Sequence, residues 1–411
     1  MIAERFFRAA DRVLRGGEYL GEAINAELAQ DPGEGKALTA FCYGLFDRLI
    51  EIDFVLDRLV ERPPKPVIRS YLRAGTFLVR HSDMPAYAAV SQSVEAVKKL
   101  GKGSAAGFVN AVLKRAASLE LTLPEDEAEA LSVRYSFPLF AVRRYLAEYG
   151  RAETERLLSF RPGPAEHIRV CGDPEAFCAD LTRAEVPFSP SAAGCLWADY
   201  GALLRSGIDP ARYVKQDLGS VKIAQLCPPP ADGRILDCCA APGGKAVFLA
   251  QRFPDAHVTA CDLHPHRVGL ISAYAARLGV RNLTAEVRDA AVFEPAFQER
   301  FSVVLCDAPC SGFGVVYSKP DIKFFRREED IPALAALQRK ILNNVCRYVA
   351  PGGSLIYATC TLFAEENEEV CADFLAAHPD FQPGRTLKLL PEEGGSEGFF
   401  GQVFQRRDFG A

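Results

Sequence analysis

Apolar residues at Leu38, Phe41, Cys42, Leu45, Leu49, Ile52, Leu56 and Leu59 recur every three or four positions, the spacing of one helix face. One helix is therefore predicted along this stripe, ended by Pro63, Pro64 and Pro66. Val90, Val94, Val97 and Leu100 repeat the pattern, Gly101 and Gly103 stop it, and a further helix is predicted over Ala105 to Ala117. No strand pattern interrupts this region, so residues 1–125 read as an all-α domain.

The stretch from Leu121 to Glu127 is acidic, contains a proline and suits a linker. Helical spacing resumes around Phe140 to Leu158. Short β-like runs such as His167-Ile168-Arg169-Val170 then appear, with one helix at Pro174 to Arg183, so 126–230 reads as a helical linker and a small α+β unit. Pro228-Pro229-Pro230 breaks that pattern. Beyond it the β-rich runs Arg234 to Cys239, His257 to Asp262, Ser302 to Asp307 and Ser354 to Thr359 alternate with helical stretches. Those stretches are Lys245 to Gln251, Pro265 to Leu278, Ile331 to Val349 and Glu365 to Ala376. This alternation predicts a Rossmann-like, doubly wound parallel sheet over 231–411.

A chain of 411 residues exceeds one ordinary core, and its 49 % hydrophobic content suits a globular protein. No run reaches the roughly 18 apolar residues of a membrane span, and the opening lacks the apolar stretch of a signal peptide. A cytoplasmic, membrane-free protein is expected. Thirteen cysteines, an odd number in a long chain, point to reduced thiols rather than a disulfide framework. No pair has the Cys-x-x-Cys spacing of a zinc site, so no metal is expected. The net charge of −5 gives no global nucleic-acid signature, which leaves local basic clusters at Arg134, Arg143 and Arg144 and at Lys319, Lys323, Arg326 and Arg327. Each cluster reads equally as a solvated helix face.

Ile235 to Lys245 combines a strand, the small-residue turn Cys239-Ala240-Ala241-Pro242-Gly243-Gly244 and a helix start. Glycines let the backbone approach a ligand, and the helix N-terminus offers free N–H groups. The turn is neither Gly-x-Gly-x-x-Gly nor a P-loop. Asp262 ends the next strand, where an acid can accept from ribose hydroxyls, although aspartate there also caps helices. Asp289 is placed to contact adenine, and Asp307 completes an acidic rim. An adenosine pocket without a pyrophosphate cradle fits S-adenosyl-L-methionine better than NAD. Cys310, in Asp307-Ala308-Pro309-Cys310-Ser311-Gly312, and Cys360, in Tyr357-Ala358-Thr359-Cys360-Thr361, each follow a strand end, where ligands of open α/β sheets bind. Thiol chemistry on a bound substrate is the expectation, with burial as an inert apolar thiol as the alternative.

Asp237 to Lys245, Asp307 to Gly312, Lys319-Pro320-Asp321-Ile322-Lys323 and Ala358 to Thr361 together resemble the RNA cytosine-C5 methyltransferases. Pro85 to Val90 with Gly107 to Leu113 resembles the NusB-type helical domain at that family's N-terminus, and Tyr213 to Asp217 and Glu397 to Phe400 match further family segments. The resemblance spans nearly the whole chain. It departs at Tyr317-Ser318, where two arginines are usual, so one implied phosphate contact lacks its residue, and at Cys238, where leucine is usual.

The resemblance implies methylation of C5 of a cytosine in RNA, with 16S rRNA or a small-subunit assembly intermediate as partner. It assigns Cys360 as the nucleophile that adds to C6 and Cys310 to product release. The residues alone leave this order open, because DNA cytosine methyltransferases use a Pro-Cys nucleophile like Pro309-Cys310. Lys245 is the candidate cation that makes a thiol reactive, and Asp307 is placed to bind the cytosine amino edge or N3. Cys239, Ala240, Ala241, Pro242, Gly243, Gly244, Lys245, Asp262, Asp289 and Asp307 form the expected cofactor site. A tRNA methyltransferase would share every motif. A non-catalytic NusB-type assembly factor would explain the first third only, and a NAD oxidoreductase is disfavoured by the glycine pattern and by His264 and His266 directly following Asp262.

Overall fold

A computed structural model of the chain describes residues 2–31, 33–163, 165–392 and 395–408. Two compact units are present, Met1–Ser159 with Val316–Glu328, and Phe160–Val315 with Glu329–Ala411.

The first unit is helical. Its helices include Ile2–Gly16, Leu20–Gln30, Pro66–His81, Ala86–Lys99 and Ala106–Ser118, and they enclose an aromatic core in which Phe7 stacks on Tyr71 with centroids 5.1 Å apart. The single helix predicted along the Leu38–Leu59 stripe is instead two, Gly35–Asp47 and Leu49–Leu59. Arg48 between them leaves helical geometry at φ −110°, ψ 9°. The second helix begins there because Ser136 Oγ accepts from Ile50 N at 2.9 Å and Glu51 N at 3.4 Å, satisfying two N–H groups that a helix start leaves free. The buried stripe survives the break because both helices face one core.

A further helix, Glu127–Tyr135, follows the acidic linker, and the predicted 140–158 helix runs Leu139–Ser159 with a break at Gly150. Lys323 corrects the reading of a basic surface cluster. Its side chain is 3 % exposed, pairs with Asp47 Oδ1 at 2.9 Å and lies 4.7 Å from the Phe137 ring centroid. The segment 316–328 is thus anchored within this unit at Lys323 and at Tyr317, whose OH donates to Leu157 O at 3.0 Å.

The second unit contains two sheets. Strands β1 (Glu166–Val170), β2 (Phe188–Pro190), β3 (Cys195–Ala198) and β4 (Tyr213–Lys215) form an antiparallel sheet ordered β2-β3-β1-β4. The predicted helix Pro174–Arg183 is present, capped by Asp173, and two short helices, Tyr200–Arg205 and Leu218–Ala224, accompany it.

The large sheet comprises β5 (Arg234–Asp237), β6 (His257–Asp262), β7 (Leu283–Val287), β8 (Phe301–Asp307), β9 (Val349–Thr359), β10 (Phe381–Leu389) and β11 (Phe399–Arg406), ordered β10-β11-β9-β8-β5-β6-β7. From β7 to β9 the strands are parallel, as expected for a Rossmann-like sheet. The sheet is nonetheless mixed, because β11 and β10 add an antiparallel hairpin beside β9. β10 escapes the alternation pattern because it is an edge strand interrupted by Pro383-Gly384 and largely exposed. Strand order reverses between β5 and β8, opening a crevice at their carboxyl ends.

Candidate active site

Four chain segments meet at that crevice. β5 delivers Asp237 and the turn 238–243, and the helix Gly244–Arg252 carries Lys245 in its first turn. Gly243 sits at φ 113°, a conformation that side chains disfavour, and a Cβ there would lie 3.2 Å from Ile271 Cα. Asp262, at the end of β6, accepts from Ala241 N and His264 N, both at 3.3 Å, and pairs with Arg267 at 3.5 Å. The helix Pro265–Arg277 takes His264 as its N-cap position, so Asp262 holds the glycine turn rather than capping the helix.

Lys245 and Asp307 meet across the crevice with Nζ to Oδ2 at 2.7 Å. Burial works against the ammonium, but the charge and hydrogen bond of Asp307 outweigh it and hold the Lys245 pKa above its ordinary value, with Cys360 adding to the effect. Asp237 is fully buried, and neither of its carboxyl oxygens has a hydrogen-bond partner among the described residues. Burial first, then the charge of Asp307, push its pKa up to about 7.

The two strand-end cysteines do converge. Pairing of β8 with β9 sets Asp307 opposite Ala358, and the loops beyond place Cys310 Sγ 3.3 Å from Cys360 Sγ. Cys360 N also points at Cys310 Sγ at 3.3 Å, and both residues are partly exposed. The hydrogen bond to Cys360, then burial, push the Cys310 thiol well above its ordinary range. Gly314 lets the loops cross closely. Its N–H donates to Cys360 O at 2.9 Å, and a Cβ there would meet Gly398 O at 2.2 Å.

Asp289 lies apart from the thiols. It is exposed, accepts from Ala291 N at 2.8 Å, and lines a cavity of about 260 Å³ with Cys238, Cys261 and Phe293. Cys239 is only partly exposed, and its hydrogen bond to Cys306, then burial, hold its thiol well above the ordinary range.

Beneath the thiols is a polar layer that no motif announced. The predicted 365–376 helix in fact starts at Glu368, because Asn367 adopts φ −118°, ψ −93°. Glu366 and Asn367 are thereby freed to grip the two cysteine loops, and both are wholly buried. Glu366 Oε2 accepts from Ser311 N at 2.8 Å and from Gln338 Nε2 at 2.9 Å, and Gln338 also donates to Pro309 O at 3.0 Å. Asn367 takes a 2.5 Å hydrogen bond from Thr359 Oγ1 and donates to Thr361 O at 3.0 Å, bracketing Cys360. Ser311 and Thr361 hydroxyls join the two loops at 2.8 Å. The only sequence signal was a polar pair at the head of an apolar helix pattern, which ordinarily reads as a solvated first turn.

Residues 4–118 match the NusB family, and residues 224–404 match the 16S rRNA methyltransferase RsmB/F family. The chain is 33 % identical over 390 residues to a probable ribosomal RNA small subunit methyltransferase B of Bacillus subtilis, covering 91 % of this chain and 87 % of that protein. It is 32 % identical over 410 residues to ribosomal RNA small subunit methyltransferase B of Xylella fastidiosa, covering 92 % and 95 %. The crystal structure of PH0851 shares the fold over 98 % of this chain and 99 % of that one, with a TM-score of 0.85 at 24 % identity. NSun6 from Pyrococcus horikoshii, solved with SFG, shares it over 64 % of this chain and 97 % of its own, with a TM-score of 0.55 at 18 % identity. Likeness along nearly the full length, in both the helical unit and the sheet, shows that the chain belongs to the 16S rRNA methyltransferase RsmB/F family.

Proposed function

We propose that the chain methylates C5 of a cytosine in 16S rRNA, using S-adenosyl-L-methionine and a transient covalent bond from Cys360 to C6. The observation that carries this reading is the pair of thiols 3.3 Å apart at the ends of β8 and β9, beside the Lys245–Asp307 pair. The strand-end crevice also suits the cofactor. S-Adenosylmethionine is cationic at its sulfonium and amino groups, and the buried Asp237 shares its electrostatic environment with Asp262 and Asp307. Cys239 to Lys245, Asp262, Asp289 and Asp307 would hold it, and when bound it supplies an electrophilic methyl group.

The cytosine C5 carbon is a weak nucleophile, and addition at C6 makes it enamine-like. Cys360 Sγ, as thiolate, forms the bond to C6 while Asp307 holds the N3 and amino edge, and C5 gains the electron pair that takes the methyl group. A base then removes the C5 proton, the C5–C6 double bond re-forms, and Cys360 leaves as thiolate. The Lys245 cation lies in electrostatic reach of Cys360, which favours the thiolate there. The nearby cation supports Cys360 as nucleophile, and Cys310, with its sulfur 3.3 Å away, as the group that assists release. RNA bases reach such a crevice from single-stranded or flipped-out positions.

Incubation of Cys310→Ala and Cys360→Ala with 16S rRNA and cofactor tests the roles on a denaturing gel. Cys310→Ala should accumulate RNA-linked protein and Cys360→Ala none. The opposite pattern exchanges the roles, and a parent protein without methyl transfer to rRNA sinks the reading.

A further inference from the structure

Away from the thiols, Arg169 on β1 is 4 % exposed, yet no carboxylate pairs with it among the described residues. Its Nε donates to Gln216 Oε1 at 2.8 Å and its Nη1 to Gln251 Oε1 at 2.7 Å, both neutral acceptors. The guanidinium lies 5.3 Å from the Phe248 ring centroid, and its Nη2 is buried without any hydrogen-bond partner among the described residues. A buried charge without a counter-charge is costly, and so is a buried donor without an acceptor. Arg169 also lines a cavity of about 590 Å³, within the range of small-molecule sites at roughly 300–1,000 Å³. Arg252 stands at its exposed rim, Cys171, Gln225 and Gln251 contribute polar wall, and no acidic residue lines it among the described residues.

We propose that this cavity is a phosphate-binding site built on Arg169, separate from the methyl-transfer site. Arg252 lies seven residues beyond Lys245 on one helix, about 10 Å further along its axis. A guanidinium is always charged, and with Nε and Nη1 held by the two glutamines Arg169 attracts phosphate through its charge. A phosphate in the cavity supplies the counter-charge that Arg169 lacks, and Arg252 closes on the outer face. The phosphate is either a phosphodiester of the bound RNA or a free phosphoryl group. Gln216 links the site to the cofactor turn, because its Nε2 lies 3.4 Å from where a Gly244 Cβ would be.

Thermal unfolding of the full chain with inorganic phosphate, at constant ionic strength against chloride, tests the site. Gln251→Glu keeps the acceptor for Arg169 and supplies an internal counter-charge, so it folds at least as stably as the parent but no longer responds to phosphate. Arg252→Ala weakens phosphate binding about tenfold, the loss of one charge-assisted hydrogen bond. A phosphate response that is absent in the parent, or equal in the parent and Gln251→Glu, overturns the proposal. The source follows from binding of a 16S rRNA fragment across salt concentrations. If an RNA phosphate occupies the site, inorganic phosphate competes with RNA and Gln251→Glu lowers the slope of log affinity on log salt by about 0.7–0.9. Unchanged RNA binding, with the phosphate response lost, assigns the site to a free phosphoryl compound.

Discussion

Asn367→Ala separates the placement of the nucleophile from the chemistry of the thiols. The variant removes the acceptor of Thr359 Oγ1 and the donor to Thr361 O, both at wholly buried residues that flank Cys360. Each buried group deprived of its partner costs about 1–3 kcal/mol, and water admitted to the vacated space recovers part, leaving a loss of about 3 kcal/mol. Against a typical stability of about 5–15 kcal/mol the protein stays folded at 25 °C, so activity remains measurable. With the bracket gone, Cys360 drifts relative to the cytosine, and a displacement on the order of 1 Å lowers kcat roughly 100-fold. The assay is methyl transfer from labelled cofactor to a 16S rRNA fragment under single turnover, alongside urea unfolding and RNA affinity. A kcat within roughly threefold of the parent, with the stability loss present, would show that Asn367 only supports the fold.

Lys245→Met removes the cation between Asp307 and Cys360, and single-turnover methyl transfer should slow about 100- to 1,000-fold with RNA affinity unchanged, while an unaltered rate would remove Lys245 from the chemistry. Asp237 has a folded-state pKa raised to about 7 from an ordinary 3.8, so the native state binds the extra proton between those values and stability falls as pH rises from about 4 to about 7. Asp237→Asn should flatten that dependence, worth at most ~4 kcal/mol, in urea titrations across the interval, and an unchanged slope would contradict the assignment. Lys323→Met removes the buried ammonium that pairs with Asp47 and should cost about 1–3 kcal/mol with the salt dependence of RNA binding intact. A drop of about 1 in that salt slope would return Lys323 to an RNA contact.

What the sequence disclosed and what it concealed divide along a physical line. Strands β5, β6, β8 and β9 were legible because buried parallel strands are continuous apolar runs, and their ends carry the small or reactive residues a crevice needs. The glycine turn, Lys245, Asp307 and the two cysteines could be placed from those ends alone. Elements settled by partners far along the chain left no local trace. The break at Arg48 depends on Ser136, 86 positions beyond the Ile50 N–H it caps. Lys323 reads as a surface cation until Asp47 is brought against it. Glu366 and Asn367 follow the same rule, since a glutamate and an asparagine at a helix head normally face water, and only the convergence of β8 and β9 supplies the backbone groups that they hold.

That convergence explains why two neighbouring residues serve two separate loops. Cys310 and Cys360 follow strands whose spacing is fixed by the sheet at roughly 4.8 Å, but the loops that carry them beyond the strand ends are under no such constraint. Bringing their sulfurs to 3.3 Å therefore requires a tie beyond the ladder. Glu366 fixes the Cys310 loop through Ser311 N, Asn367 fixes the Cys360 segment through Thr359 and Thr361, and their adjacency in the chain sets the distance between the grips. The Ser311–Thr361 hydroxyl pair closes the circuit. Most of these buried polar groups find partners, Glu366 Oε1 and Gln338 Oε1 lacking one among the described residues, and the bonds that are made stiffen both loops. Stiffness suits covalent catalysis here, because Cys360 must reach C6 while Cys310 stays close enough to assist elimination, and neither thiol can wander without losing one of those contacts.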